Sequence, residues 1–325
     1  MTVLVTGGAG YIGAHVVRAL GAQGTDVVIV DDLSTGIQDR VPGIPLHRAD
    51  LASEDTAESL ASFMSDHGVD AVIHLAARKQ VFESVQRPVW YYRENIGGLV
   101  QVLHAMELAR VATLVFSSSA AVYGDAASAA ITEDAPTEPV NPYGETKLAG
   151  EWLVRAAARA QGLRAASLRY FNVVGAGSPE LGDVFALNLV PMVFERVLAG
   201  EAPLIFGGDY PTKDGTCVRD FIHVSDLADA HVDVLARLAE VPQGVAEVFN
   251  VGTGTGYSVR EVIGSVERAV GAPTSPEVVA RRPGDPASVV ADPSRLHLAT
   301  GWSARHNLDE MVQSAWAAYP QREAG

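Results

Sequence analysis

Basic residues are scarce in this 325-residue chain: 24 Lys and Arg stand against 39 Asp and Glu, a formal net charge of −15. Such a surface repels nucleic-acid phosphates and anionic lipid unless a local basic stripe offsets it, and the nearest approach to one is the pair Arg281 and Arg282. An anionic small ligand stays open, because helix N-termini and a few placed Arg hold phosphate whatever the net charge. The single cysteine, Cys217, excludes intrachain disulfides, Cys-rich zinc sites and CxxC redox chemistry. Its expected role is that of a small buried hydrophobe. No His, Asp or Glu spacing fits a metal site. Apolar runs stay well short of the roughly 18 residues that span a bilayer. The start, Met-Thr-Val-Leu-Val-Thr, has neither the basic opening nor the cleavage site of a signal peptide. The expectation is a cytosolic protein without nucleic-acid or membrane partners. Repeats, low-complexity tracts and long linkers are also missing.

What is present is a large apolar fraction, 48% against 19% charged, which excludes a disordered chain. In the first half, apolar strands alternate with helices. Strands are predicted at Val3–Val5, Val27–Val30, Ile44–His47, Ala71–Leu75, Leu114–Phe116 and Leu163–Tyr170. Helices are predicted at Tyr11–Ala22 and near 53–66, 90–109 and 143–161. This alternation means βαβ units and a parallel sheet covered on both faces. The fold class is therefore α/β, a Rossmann-type doubly wound parallel sheet with a smaller C-terminal substrate-binding lobe. Segments 173–185 and 200–220 read as site-building loops around a helix at 186–199, with a further helix at 225–239. The expected division is 1–172 for the dinucleotide domain and 173–325 for the second lobe. A late strand near 246–251 returns to the first domain.

Gly7, Gly10 and Gly13 are spaced GxxGxxG between the first strand and the first helix. Glycine there allows a tight turn, close approach of a pyrophosphate and tight helix–strand packing, with the helix N-terminus facing the phosphates. Asp31 ends the second strand, where an acid hydrogen-bonds the adenine ribose. It would repel a 2′-phosphate, so the cofactor is predicted to be NAD rather than NADP. The late cluster Gly252–Gly256 lacks a downstream acid and reads as a loop.

Tyr143 and Lys147 form Tyr-x-x-x-Lys behind Pro142, at i and i+4 on one helical face. An ammonium beside a phenol favours the phenolate, so the spacing predicts a lowered Tyr143 pKa and a base for a sugar hydroxyl. Ser117, Ser118 and Ser119 follow the strand ending at Phe116, where a hydroxyl can share the substrate proton.

With these stretches in order, the chain resembles the extended short-chain dehydrogenase/reductase family, and within it the nucleotide-sugar epimerases. The likeness runs nearly end to end. It is carried by Thr6 to Gly13, Asp31-Asp32-Leu33, His74 to Ala77, Phe116 to Gly124, Pro142 to Lys147, Leu168 to Asn172, Val218 to Val224 and Arg282-Pro283-Gly284-Asp285. The 4,6-dehydratase relatives place Thr-Asp-Glu where this chain has Ser-Ser-Ala.

The resemblance implies that Ser119, Tyr143 and Lys147 are the catalytic trio. It adds Tyr11, Ile12, Asp32, Asp50, Leu51, Leu75, Ala76, Lys79, Asn95, Ser117 and Tyr170 to the NAD site. Phe171, Asn172, Asn188, Leu189, Arg219, Arg282 and Asp285 are implied to hold a UDP-hexose, with Val289 walling the sugar pocket. His74 resembles a family residue but reads as structural. Departures are Val173 for a common proline, Arg78 for a small or apolar residue, and Val289 where some members carry tyrosine. The implied reaction inverts carbon 4 of UDP-galactose or UDP-glucose, with bound NAD as transient hydride acceptor. The small side chain at 289 implies room for N-acetylated sugars. Rivals are a UDP-glucuronate decarboxylase or epimerase, for which no carboxylate clamp can be placed, and a non-catalytic NAD sensor. Surplus apolar width on 90–109 (Trp90, Ile96, Leu99, Val100, Leu103, Met106) and 143–161 (Leu148, Trp152, Leu153) agrees with the homodimer the family implies.

Overall fold

A computed structural model describes residues 1–125, 130–185, 188–282 and 285–320. The strands are β1 (Thr2–Thr6), β2 (Asp26–Asp31), β3 (Leu46–Arg48), β4 (Val69–His74), β5 (Thr113–Ser119), β6 (Arg164–Tyr170), β7 (Asn172–Val174), β8 (Leu204–Phe206), β9 (Val218–His223), β10 (Ala246–Val251), β11 (Gly256–Ser258), β12 (Glu277–Val279) and β13 (Ser288–Val289). The helices are α1 (Tyr11–Ala22), α2 (Thr56–Asp66), α3 (Val81–Gln86), α4 (Pro88–Tyr92), α5 (Gly98–Ala109), α6 (Pro142–Gln161), α7 (Leu189–Leu198), α8 (Val224–Leu238), α9 (Val259–Val270), α10 (Ser294–Thr300) and α11 (Leu308–Ala318).

The large sheet has seven strands in the order β10-β6-β5-β4-β1-β2-β3, all parallel. Its central strands β1, β2 and β4 are largely apolar on both faces because helices cover both. On one face Val16, Leu20, Leu227 and Leu235 from α1 and α8 pack on Val3, Ile29 and Val115. On the other, Leu60, Met64, Val102, Met106 and Val154 from α2, α5 and α6 pack on Leu4, Val72 and Leu114. The strand order reverses between β1 and β4, and a crevice opens there beyond the carboxyl ends, the usual ligand site of such sheets.

Beyond Tyr170 the chain adds β10 to the large sheet and α8 to its cover, and builds a second assembly. β7, β9, β11 and β13 form a small sheet and β8 pairs with β12. Phe194, Ile205, Phe221, Val262 and Met311 form the core beneath. Segment 200–220, read from sequence as irregular, thus contains β8 and the start of β9, and segment 173–185 contains the end of β7. Three-residue strands show no usable period, which is why they escape a sequence reading. The predicted 186–199 helix begins at Leu189, with 186 and 187 outside the described residues. The single helix expected at 90–109 is instead α4, a π turn at Arg93–Gly97 and α5, with α3 before it. Pro88 starts a new helix after Arg87, whose backbone is non-helical.

Candidate active site

The Gly-rich turn forms the floor of the crevice. Gly7 has φ of +67°, and a Cβ on it would lie 2.9 Å from the Ala76 nitrogen. A Cβ on Gly13 would lie 2.0 Å from the Gly7 carbonyl oxygen. These two positions therefore need glycine, and together they bring α1 and the β4 exit against the turn. No side chain caps α1, so its first N–H groups are left for a phosphate. Gly10, Tyr11 and Ile12 line the same cleft. At the end of β2 both carboxylate oxygens of Asp31 are oriented, one accepting from the Ala9 N–H (3.0 Å) and the other from the Leu33 N–H (2.8 Å). Burial pushes the Asp31 pKa up, and these two bonds oppose it. Asp32, Asp50, Leu51, Leu75, Ala76 and Lys79 complete the walls. The Thr6 hydroxyl accepts from the N–H groups of Leu75 and Ala76 at 3.0 and 3.1 Å, fixing how the chain leaves β4. This set fits a dinucleotide: a glycine-rich phosphate turn, an open helix N-terminus and an oriented acid. Asn95 lies behind the wall. Its amide brackets the backbone of Arg78 and donates to Thr146 Oγ1 at 2.9 Å.

Over this cleft stand Tyr143 and Lys147. Asn141 caps α6 through its side chain to the Gly144 N–H (2.9 Å), with Pro142 at the first position, so Tyr143 lies in the first turn and Lys147 follows one turn later. Lys147 Nζ donates to the Ser117 carbonyl at 2.7 Å and contacts its hydroxyl at 3.1 Å. Tyr170, paired in register with Ser119, lines the cleft as well, and its hydroxyl bonds to buried His231. The predicted lowering of the Tyr143 pKa is not what the structure gives. Burial pushes the Tyr143 hydroxyl up, with a hydrogen bond to Ser119 opposing, and burial pulls Lys147 down to about 7. The Lys147 ammonium sits 6.0 Å from the Tyr143 ring centre and is spent on Ser117, so desolvation outweighs it. His74 is buried beside Thr6 Oγ1, its pKa pulled to about 3 by burial and by Lys147, which keeps the imidazole neutral.

Of the residues expected at the sugar nucleotide, Arg219 Nη2 meets Asp285 Oδ1 at 2.5 Å, and Val289 pairs with Arg219 across β9 and β13. Arg282 lies over the Phe206 ring at 3.8 Å. Pro283 and Gly284 lie outside the described residues. Asn188 precedes Leu189, which opens α7, and donates to Asp183 Oδ2 at 2.8 Å. Phe171 is buried with Val122, Tyr123 and Leu148, where Val289 also packs. Asn172 is exposed at the start of β7. Cys217 is buried, 3.8 Å from Asp285 Oδ2, and burial pushes its thiol pKa up. No group of three metal-binding side chains occurs among the described residues, nor any helix long and apolar enough to cross a membrane.

Sequence reasoning missed several cleft residues: Ser34 and Thr35 after β2, Arg78, Glu83 and Trp90 after β4, and Asp183 and Phe185 further on. The first two groups follow the carboxyl ends of β2 and β4, at and beside the strand-order reversal, and the rule that ligands bind beyond the carboxyl ends of such strands would have found them. It also missed Glu151, one turn past Lys147, which forms a buried bidentate pair with Arg169 and accepts from Ser118.

Fold and site together define a Rossmann-type, dinucleotide-dependent enzyme with a Tyr–Lys pair over the strand ends. The chain belongs to the NAD dependent epimerase/dehydratase family, whose profile matches residues 3–252. It is 47% identical over 319 residues to a UDP-glucose 4-epimerase of Azospirillum brasilense, covering 96% of this chain and 90% of that one. Among solved structures, it resembles UDP-glucose 4-epimerase from Stenotrophomonas maltophila with bound NAD and formylated UDP-arabinopyranose. That likeness has a TM-score of 0.91 and 42% identity, over 98% of this chain and 97% of that one. The enzyme of Brucella ovis in complex with NAD matches with a TM-score of 0.92 and 39% identity, over 97% of each chain.

Proposed function

We propose that this protein interconverts UDP-galactose and UDP-glucose by inverting carbon 4, with NAD held in the crevice between β1 and β4. The observation that carries the reading is the placement of Tyr143 and Lys147 over a cleft whose floor is the Gly7–Gly13 turn, with Ser119 hydrogen-bonded to Tyr143. When bound, NAD supplies a hydride acceptor and donor, and its oxidised ring adds a positive charge. Tyr143 takes the 4′-hydroxyl proton and gives it back after the 4-keto sugar has turned over. Ser119 shares that proton, and Lys147 holds the strand end that carries Ser119. Left to themselves, these side chains keep the phenol protonated, so the base form needs added positive charge in the cleft. Arg219 and Arg282 hold the diphosphate, the part that does not react, so binding energy is spent away from the turning sugar.

The pocket also admits UDP-GalNAc and UDP-GlcNAc in this reading. Val289 packs against the buried cluster of Val122, Tyr123, Leu148 and Phe171, as does Ala120, the neighbour of Ser119, and its side chain is smaller than a tyrosine. The active unit is a homodimer. Phe82, Val85 and Val89, on α3 and α4, are 76%, 61% and 83% exposed and Trp152 on α6 is 58% exposed, an apolar face that a second copy would cover. Retained NAD absorbance in the purified protein, and conversion of added UDP-galactose to UDP-glucose, test the main reading. An NAD-loaded protein that leaves UDP-galactose unchanged would end it. A monomer mass by light scattering at micromolar concentration would end the dimer.

A further inference from the structure

Arg78 leaves the carboxyl end of β4 and reaches the residues that follow β2. Its Nη2 lies 3.2 Å from Asp32 Oδ2 and its Nη1 donates to Ser34 Oγ at 2.9 Å. Its Nε meets Glu94 Oε2 at 3.3 Å, and its guanidinium stands 5.2 Å from the centre of the Trp90 ring. In the sheet β1 lies between β4 and β2. Its guanidinium therefore ties the segment that follows β4 to the segment that follows β2, on either side of β1 in the strand order. Arg78, Asp32, Ser34, Trp90 and Glu94 all line the dinucleotide cleft. All three guanidinium nitrogens are engaged, and the fork geometry of Arg lets it hold both rims at once.

We propose that Arg78 is a bar across the mouth of this cleft, a cofactor-retaining residue that must swing aside for NAD to enter or leave; this rests on the NAD reading above. The bar works kinetically. It adds a barrier common to entry and exit, built from two ion pairs, one hydrogen bond and a contact with an aromatic face. Because the Arg78–Asp32 pair is partly open to solvent, its side chains 25% and 33% exposed, salt weakens it and loosens the bar.

The test follows NAD binding to the purified full-length protein by stopped-flow fluorescence, with dissociation measured by displacement, for native protein and for Arg78→Leu. The bar predicts that both association and dissociation speed up in the variant, by about tenfold. It also predicts that salt accelerates release from native protein but not from Arg78→Leu. Glu94→Gln and Ser34→Ala, each cutting one contact, should move both rates in the same direction by less, and they carry the test if Arg78→Leu does not fold. Unchanged rates would overturn the proposal. So would faster release with slower association, the signature of a direct phosphate ligand. A native protein that binds no NAD would overturn the dinucleotide reading and the bar with it, whereas unchanged rates leave the dinucleotide reading standing.

Discussion

Substituting Arg169 by Met isolates the buried ion pair beside Ser118. The Arg169 and Glu151 side chains are 4% and 1% exposed and meet through two parallel bonds, Nε to Oε1 at 2.8 Å and Nη2 to Oε2 at 2.7 Å. Burial alone would lower the Arg169 pKa, but the Glu151 carboxylate more than offsets it and leaves Arg169 raised. Met removes the partner and leaves a buried carboxylate with only the Ser118 hydroxyl, 2.5 Å away. Breaking such a pair from one side costs about 3–5 kcal/mol. Arg169 Nη1 also donates to the Tyr123 hydroxyl (2.9 Å) and the Glu133 carbonyl (3.2 Å), so the upper half of that range is expected. Adding Glu151→Leu removes the orphaned charge and should recover most of the loss, to within about 1–2 kcal/mol of native, the remainder reflecting a Ser118 hydroxyl without its acceptor. Urea unfolding of the native, single and double variants at saturating NAD gives the coupling directly. A cost below about 1 kcal/mol for Arg169→Met, or a double variant as unstable as the sum of the singles, would refute the reasoning.

Tyr143→Phe keeps the ring and removes the proton carrier; kcat should fall by about 10²–10⁴ with UDP-hexose binding kept, and near-native turnover would end the assignment. Lys147→Met should raise stability in protein freed of dinucleotide. The folded Lys147 pKa is about 7 against 10.5 unfolded, so the unfolded chain binds more protons between those values. Native stability therefore rises with pH across that window, and the gain from Met should be full below about pH 7 and vanish above about 10.5, as thermal melts across pH would show. Titrations should find NADP bound more weakly than NAD, because a carboxylate at Asp31 would repel a ribose 2′-phosphate; equal affinities would remove that argument. Val289→Tyr should lower kcat/KM on UDP-GalNAc relative to UDP-galactose, by a few kcal/mol at most; an unchanged ratio would mean that position 289 is not the gate.

The sequence alone determined what depends on near neighbours. The strands of the parallel sheet declare themselves through apolar runs, and α1 is legible over its whole length at Tyr11–Ala22. Gly7 and Gly13 are legible because a missing Cβ is a property of the residue itself, and Tyr143 and Lys147 share a helix face because four residues make about one turn. Folding decided what depends on residues far apart in the chain. Arg78 meets Asp32 across 46 positions and Arg219 meets Asp285 across 66, pairings that no local period encodes. β7 and β8, three residues each, are strands only because partners lie beside them. The direction of the Tyr143 shift belongs to the same class: the i, i+4 spacing places a cation near the phenol, but burial of both groups by surrounding segments sets their pKa values. Periodicity is carried by the backbone of a single element, whereas desolvation and charge pairing arise only when several elements pack together.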